Sequence, residues 1–480
     1  MLLIKRAEVF SGARKTAANR GLGLVDIRCR GSQIVAVNTH LEPESGEVVI
    51  DANGGAVIPG LQDHHIHLLA LTAAGQSLAC GPPAIENSKE LANALQACAG
   101  SGWIRGVGYH ESVAGLLHRE QLDEWVFDRP VRIQHRSGKM WFVNSFAAEL
   151  LQLDRYKHLT GIETDHDNKP SGRLFRLDEW MRQQLSDGMA LDIKSTSALL
   201  ASFGVTGVTD ATATNNLSTW DFYRKNIERN DVMQRILLMG DSSLSSAAGS
   251  LSRSGGRLEC GVLKILLDDA LLPNFYELVQ RIDRAHEQKC PVAIHCVTAV
   301  ELVFALSACK EAGYLAGDRI EHASVVNDSA IDLLQKSGLT VATQPNFIGE
   351  RGDQYAIDID AGQHQYLYRV KTLLDAGVPV GGSTDAPFGN PDPWRSMVAA
   401  VNRQSPSGMV LGAEERVTPE QALKLFTSSA LSPGGPMRKT AVGDVADLCL
   451  LDRPWHEARL RLQQKDVKAT IRGGEIIYQN

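Results

Sequence analysis

Asp63, His65 and His67 occupy alternate positions at the end of Val57-Ile-Pro-Gly-Leu-Gln-Asp-His-His-Ile-His67. In an extended segment side chains alternate faces, so His65 and His67 point one way with Asp63 beside them, and His64 points the other way. Two imidazoles about 7 Å apart along one strand face can converge on a cation about 2 Å from each nitrogen. The spacing predicts a metal site, and hydrolysis is the first chemistry it suggests. Four more polar residues stand in or at the ends of apolar, β-branched runs. Lys264 lies between Leu263 and Ile265, His295 follows Pro291-Val-Ala-Ile, His322 follows Arg319-Ile-Glu, and Asp385 follows Gly381-Gly-Ser-Thr. Each alone has a plain structural reading: a hydrogen-bonded core histidine, a lysine paired with Asp268 or Asp269, an aspartate capping a helix opened by Ala386-Pro387. In this order on successive strands, they are hard to explain as unrelated accidents.

The elements that must position these groups alternate. Apolar, β-branched runs recur at Val57–His67, Val205–Asp210, Ile236–Met239, Val262–Ile265, Val292–His295, Ile320–His322, Thr340–Thr343 and Val378–Gly381. Helical apolar spacing fills several gaps, as in Phe275–His286, Ala299–Cys309 and Ser329–Gln335. Repeated βα units with eight strands predict a distorted (β/α)8 barrel, whose catalytic groups collect at the C-terminal strand ends. Both termini read instead as short strands separated by Gly, Ser and Asn. We expect residues 1–55 and 437–480 to build one composite β domain, a small β-sandwich, around a barrel of 56–436. Residues from about 69 to 195 break the rhythm and read as an insertion after the first barrel strand; Trp103–Tyr109 and Val131–His135 are its strand candidates.

The chain has 480 residues, 43% hydrophobic and 22% charged, with a net charge of −7, so it carries no nucleic-acid footprint. Its eight cysteines are scattered without a CxxC pair and read as reduced thiols, which points to the cytoplasm. No apolar run approaches the roughly 20 residues of a membrane helix.

The motifs together resemble the amidohydrolase superfamily: Pro59-Gly60-Leu-Gln-Asp63-x-His65-x-His67, Lys264, His295, Glu321-His322 and Ser383-Thr384-Asp385. Finer matches are similar to its YtcJ-like branch, which contains N-substituted formamide deformylase. They include Trp103-Ile-Arg-Gly-Val-Gly-Tyr109, Asn144-Ser-Phe-Ala, Gln344-Pro345 and Gly443-Asp-Val-Ala-Asp-Leu448. The resemblance implies that His65 and His67 hold a buried divalent metal, zinc first, with Asp385 as a further ligand. It implies that His295 and His322 hold a second, more exposed metal, with Lys264 bridging the two as a carbamate. Asp385 would also take the proton of the attacking water and pass it to the leaving group. The implied reaction is hydrolysis of a carbon–nitrogen bond in an amide, N-acyl, N-formyl or cyclic amide compound, by metal-activated water. An ester or lactone hydrolase and a non-catalytic ligand-binding relative are the alternatives. The substrate is a small molecule, and a homodimer is the family's habit. Two positions depart from the branch: Lys139 stands where a His often follows Ser-Gly, and Asp268-Asp269 stands where Asp-Gly is usual. Lys139 is expected to pair with an acidic group of the substrate, or else to face solvent. Gln344 is expected to hydrogen-bond the substrate, and Tyr109 to line the site's mouth or sit in a surface turn.

Overall fold

The computed structural model describes residues 1–10, 23–82, 84–100, 102–184, 191–251 and 256–480. Eight parallel strands form the central sheet, and we number them in chain order: β1 (Leu61–Ile66), β2 (Val205–Asp210), β3 (Arg235–Gly240), β4 (Leu258–Leu266), β5 (Val292–Cys296), β6 (Arg319–His322), β7 (Thr340–Thr343) and β8 (Val380–Gly382). Each pairs with its sequence neighbours, so the sheet curls in simple order from β1 to β8. The fold is a (β/α)8 barrel. Among the described residues no strand ladder joins β8 to β1. Leu425 and Phe426 bridge that seam: Gln62 N–H donates to the Phe426 carbonyl at 2.7 Å and Gly382 N–H to the Leu425 carbonyl at 2.8 Å. At the C-terminal end the seam closes directly, Asp385 N–H donating to the His65 carbonyl at 2.9 Å and His67 N–H to the Ala386 carbonyl at 2.8 Å.

The intervening helices follow their sequence signals. Phe275–Glu287 buries Leu278, Val279, Ile282 and Ala285 on one stripe. Ala299–Ala312 starts at a Thr298/Glu301 capping box. The Glu301 carboxylate reaches further, accepting from Asp269 N–H at 2.9 Å and Val297 N–H at 2.6 Å. One side chain thus ties the loops that follow β4 and β5.

The histidine-bearing run divides at Gly60. Ala56–Pro59 belongs to a second sheet, and β1 begins on the other side of the glycine. A Cβ at Gly60 would lie 2.3 Å from the Thr206 side chain, so no larger residue fits where the chain crosses between sheets. That second sheet contains Leu2–Val9, Val25–Arg30, Gln33–Asn38 and Val48–Asp51 from the N-terminal part, and Leu448–Leu451, Val467–Arg472 and Glu475–Gln479 from the C-terminal part. Leu2, Ile4, Ile27, Ile50, Val57, Leu448, Leu450 and Ile471 fill its core.

Residues Leu69–Asp192 form a separate compact unit. It has a six-stranded mixed sheet, in the order Ile162–Thr164, Pro170–Phe175, Met140–Val143, Val131–His135, Ile104–Tyr109, Leu78–Ala79. No helix among the described residues is long and apolar enough to cross a membrane.

Candidate metal centre

The C-terminal end of the barrel gathers three donors within 4.8 Å of one another: one atom each of His65, His67 and Asp385. The Nε2 atoms of His65 and His67 lie 3.5 and 3.3 Å from Asp385 Oδ1. Bonds of about 2.0–2.1 Å at a tetrahedral centre place neighbouring donors about 3.3 Å apart, so these spacings fit one ion of zinc's size. His65 Nε2 and Asp385 Oδ1 are both buried without a hydrogen-bond partner. Orphaned donors and acceptors are costly inside a protein, and a bound cation would satisfy both.

The strands explain the convergence. His65 lies near the end of β1 pointing inward, and His67 follows one period later, just beyond the strand. His64 faces the other way, where its Nε2 meets Ser428 Oγ at 3.0 Å, and burial pushes its pKa down to about 3. Asp63 does not join the donors. Its carboxylate accepts from Thr384 Oγ1 at 2.5 Å, from Thr384 N–H at 3.1 Å and from His65 N–H at 3.1 Å. It therefore locks the β8 loop, and with it Asp385, against β1. Burial raises the Asp63 pKa to about 7.

Each ring has a partner on its far nitrogen. His65 Nδ1 meets the buried carboxylate of Glu321, which also accepts from Arg319 Nε at 2.5 Å. His67 Nδ1 lies 2.8 Å from Thr212 Oγ1, and His322 Nδ1 lies 2.9 Å from Gln344 Oε1. Such partners fix ring orientation and keep the opposite nitrogen available to a cation. Burial holds His65 and His322 well below the ordinary histidine pKa, so both are neutral, as ligation requires. Burial also favours the protonated form of Glu321, but Arg319 and Lys264 outweigh it and hold its pKa low.

His322 and His295 extend the cluster. Their ring centres are 4.4 Å apart, and His322 is 4.6 Å from His65. His322 and Asp385 both have left-handed backbones, with φ of 67° and 55°. Holding non-glycine residues there costs roughly 1 kcal/mol or more each, a strain typical of functional positions. Lys264, on β4, is 1% exposed, and its Nζ has no hydrogen-bond partner. Burial, partly offset by Glu321, lowers its pKa to about 8.

Gln344, Tyr109 and Lys139 lie in different surroundings. Gln344 is fully buried, its Oε1 on His322 and its Nε2 donating to Ser383 Oγ at 2.9 Å, so both ends of the amide meet protein groups. Tyr109 is fully buried in the core of the 69–192 unit; its ring packs on Phe142 and its hydroxyl donates to the Gly115 carbonyl at 2.6 Å. It neither sits in a surface turn nor presents a free hydroxyl. Lys139 is exposed within that unit, where its backbone N–H donates to Ser137 Oγ at 3.3 Å. Sequence reasoning missed the positioning roles of Thr212 and Glu321. Glu321 had one signal, an acid beside a histidine at a strand end; Thr212, two residues beyond β2, had none.

The amidohydrolase family model matches residues 48–478. The chain belongs to the amidohydrolase family. Its relatives include N-substituted formamide deformylase of Arthrobacter pascens, 26% identical over 94% of each chain. A Bacillus subtilis (strain 168) protein carrying the name amidohydrolase YtcJ is 23% identical over 91% of each. Among solved structures, an uncharacterized metal-dependent hydrolase from Pyrococcus furiosus superposes with a TM-score of 0.73 at 23% identity, covering 94% of this chain and 99% of that one. The family match thus extends over nearly the whole length of this protein, and the chain is a hydrolase of that family.

Proposed function

We propose that this amidohydrolase cleaves a carbon–nitrogen bond in an amide, N-acyl, N-formyl or cyclic amide compound, using a divalent metal held at the barrel's C-terminal end. The observation that carries this reading is the convergence of His65 Nε2, His67 Nε2 and Asp385 Oδ1, two of them buried and otherwise unpartnered. Imidazole and carboxylate donors suit zinc, which would supply Lewis-acid polarisation of a carbonyl and lower the pKa of water toward about 7. His65, His67 and Asp385 would hold one ion. His295 and His322 would hold a second, with Lys264 bridging as a carbamate. A lysine amine with its pKa near 8 is partly neutral at pH 7, and only the neutral amine adds carbon dioxide.

Asp385 is the proton carrier in this reading. It takes a proton from the attacking water and returns it to the departing nitrogen, so one water and one amide become a carboxylic acid and an amine. Thr384, clamped to Asp63, holds Asp385 in its left-handed turn. Gln344 and Glu321 keep His322 and His65 in fixed orientation. The deformylase relative's activity and the family's chemistry support the choice of bond.

The test couples elemental analysis of protein purified without chelator to a hydrolysis screen over N-formyl and N-acyl compounds, with esters and lactones as comparators. About one or two divalent ions per chain are expected, with turnover of amides above esters and a loss of about 100-fold or more in Asp385→Asn. Metal-free protein, or a fully active Asp385→Asn variant, would reject the reading. Lys264→Ala should bring metal content toward one ion per chain, with partial rescue by short carboxylic acids. Unchanged stoichiometry would count against the bridge.

A further inference from the structure

Among the described residues of the 69–192 unit, one cluster carries positive charge without a counter-charge. Arg105 and Arg132 are register partners on the parallel strands Ile104–Tyr109 and Val131–His135, so both side chains leave the same face of the sheet. Indoles lie beside them. Arg105 Cζ is 6.0 Å from the Trp141 ring centre, and Arg132 Cζ is 5.7 Å from Trp141 and 5.5 Å from Trp103. The Nε of each guanidinium is buried and has no hydrogen-bond partner. Two other arginines of this unit are satisfied: Arg173 meets Glu163 at 2.7 Å, and Arg129 donates to the Cys98 and Gly102 carbonyls. Burial lowers the pKa of both Arg105 and Arg132, that of Arg132 to about 10, with Arg105 adding to the effect; no carboxylate among the described residues offsets it at either.

Like charges placed side by side across neighbouring strands repel, and half-burial strengthens the repulsion. Cation–π contact with the indoles offsets part of this cost. An anion joining the two guanidiniums would remove the rest. A guanidinium presents a planar fork that matches the two oxygens of a carboxylate, and the indoles favour a flat ring attached to that carboxylate. We propose that Arg105 and Arg132, flanked by Trp103 and Trp141, form a binding site for an aryl carboxylate. The site lies wholly within the 69–192 unit and uses none of the metal-centre residues.

Benzoate is the probe, titrated into the metal-loaded, full-length protein while tryptophan fluorescence and melting temperature are followed. A saturable fluorescence change and a rise in melting temperature are expected, both weakening as salt is added. The apparent dissociation constant should rise about tenfold or more in Arg105→Met and in Arg132→Met. Arg132→Lys keeps the charge but loses the fork, and should lie between wild type and Arg132→Met. Binding of benzoate at the metal centre would survive all three substitutions, so unchanged affinity in the variants overturns the proposal. Equal binding of benzamide, equal competition by inorganic sulfate, or no response of the wild-type protein to benzoate would overturn it as well.

Discussion

At the scale of single residues, the candidate site consists of donors and of the groups that aim them. The donors were legible because their types are few and their placement is local. His65 and His67 declare a common face by their spacing, His295, His322 and Asp385 each end an apolar run, and Lys264 interrupts one. The aiming groups were not legible, because each acts across strands on a residue far away in sequence. Glu321 meets His65 across a sequence separation of 256, and Gln344 reaches His322 from the next strand. Only the stagger between strands decides those pairings. Gln344 supplies a direct check. If the amide positions His322, Gln344→Ala should lower kcat about 10- to 100-fold with little change in KM, and weaken metal retention against a competing chelator. Gln344→Glu, which keeps an acceptor for the ring N–H, should recover part of the loss. A pure rise in KM with kcat and metal content intact would instead return Gln344 to the substrate.

At the scale of elements, the strands were readable and their allegiance was not. The run Val57–His67 reads as one strand, but Pro59-Gly60 divides it between two sheets. Alternation alone cannot say which sheet a short apolar strand joins, since strands buried on both faces lose the polar–apolar period. Capping chemistry is local, yet Asp385 before Ala386-Pro387 has the look of a cap and no helix starts there. The helix Pro393–Asn402, beyond the Asp385 loop, begins at Asp392, whose carboxylate accepts from Trp394 N–H at 2.9 Å. That cap is buried, and burial lifts its pKa to about 6. The unfolded carboxyl titrates near 4. Between those values the folded protein holds more protons than the unfolded chain, so this group makes stability fall as pH rises from about 4 to 6, and the cost then persists. Asn caps equally well and carries no charge. Asp392→Asn should therefore be the more stable protein at pH 8, by on the order of 1–2 kcal/mol, with the advantage shrinking toward pH 4.5. Urea unfolding at the two pH values measures it. An advantage that is absent at pH 8, or that grows toward acid, would show that the cap does not hold a costly charge.

At the scale of the whole barrel, the metal centre and the weakest seam of the sheet coincide. Strands β1 through β8 pair in sequence, but β8 and β1 are joined by the Leu425–Phe426 bridge and by a few bonds at the C-terminal end. Those bonds involve His65, His67 and Asp385 themselves, together with the Asp63–Thr384 clamp. The three donors come from opposite sides of the seam, His65 on β1 and His67 just beyond it, and Asp385 from the loop after β8. An ion shared among them would staple the barrel where its ladder is interrupted. It would bind the folded chain far better than the unfolded one, and so raise stability by RT ln(1 + [L]/Kd), about 4 kcal/mol when the free ion is 1,000-fold above its dissociation constant. Removing it also leaves His65 Nε2 and Asp385 Oδ1 buried without partners. Chelator-treated protein should therefore melt several degrees below the metal-loaded protein, and added zinc should restore the difference. In Asp385→Asn the two melting temperatures should draw together, because one side of the seam no longer supplies its anionic donor. Equal melting of loaded and stripped wild-type protein would mean that the barrel closes without the ion and that the three donors are held in place by the surrounding hydrogen bonds alone.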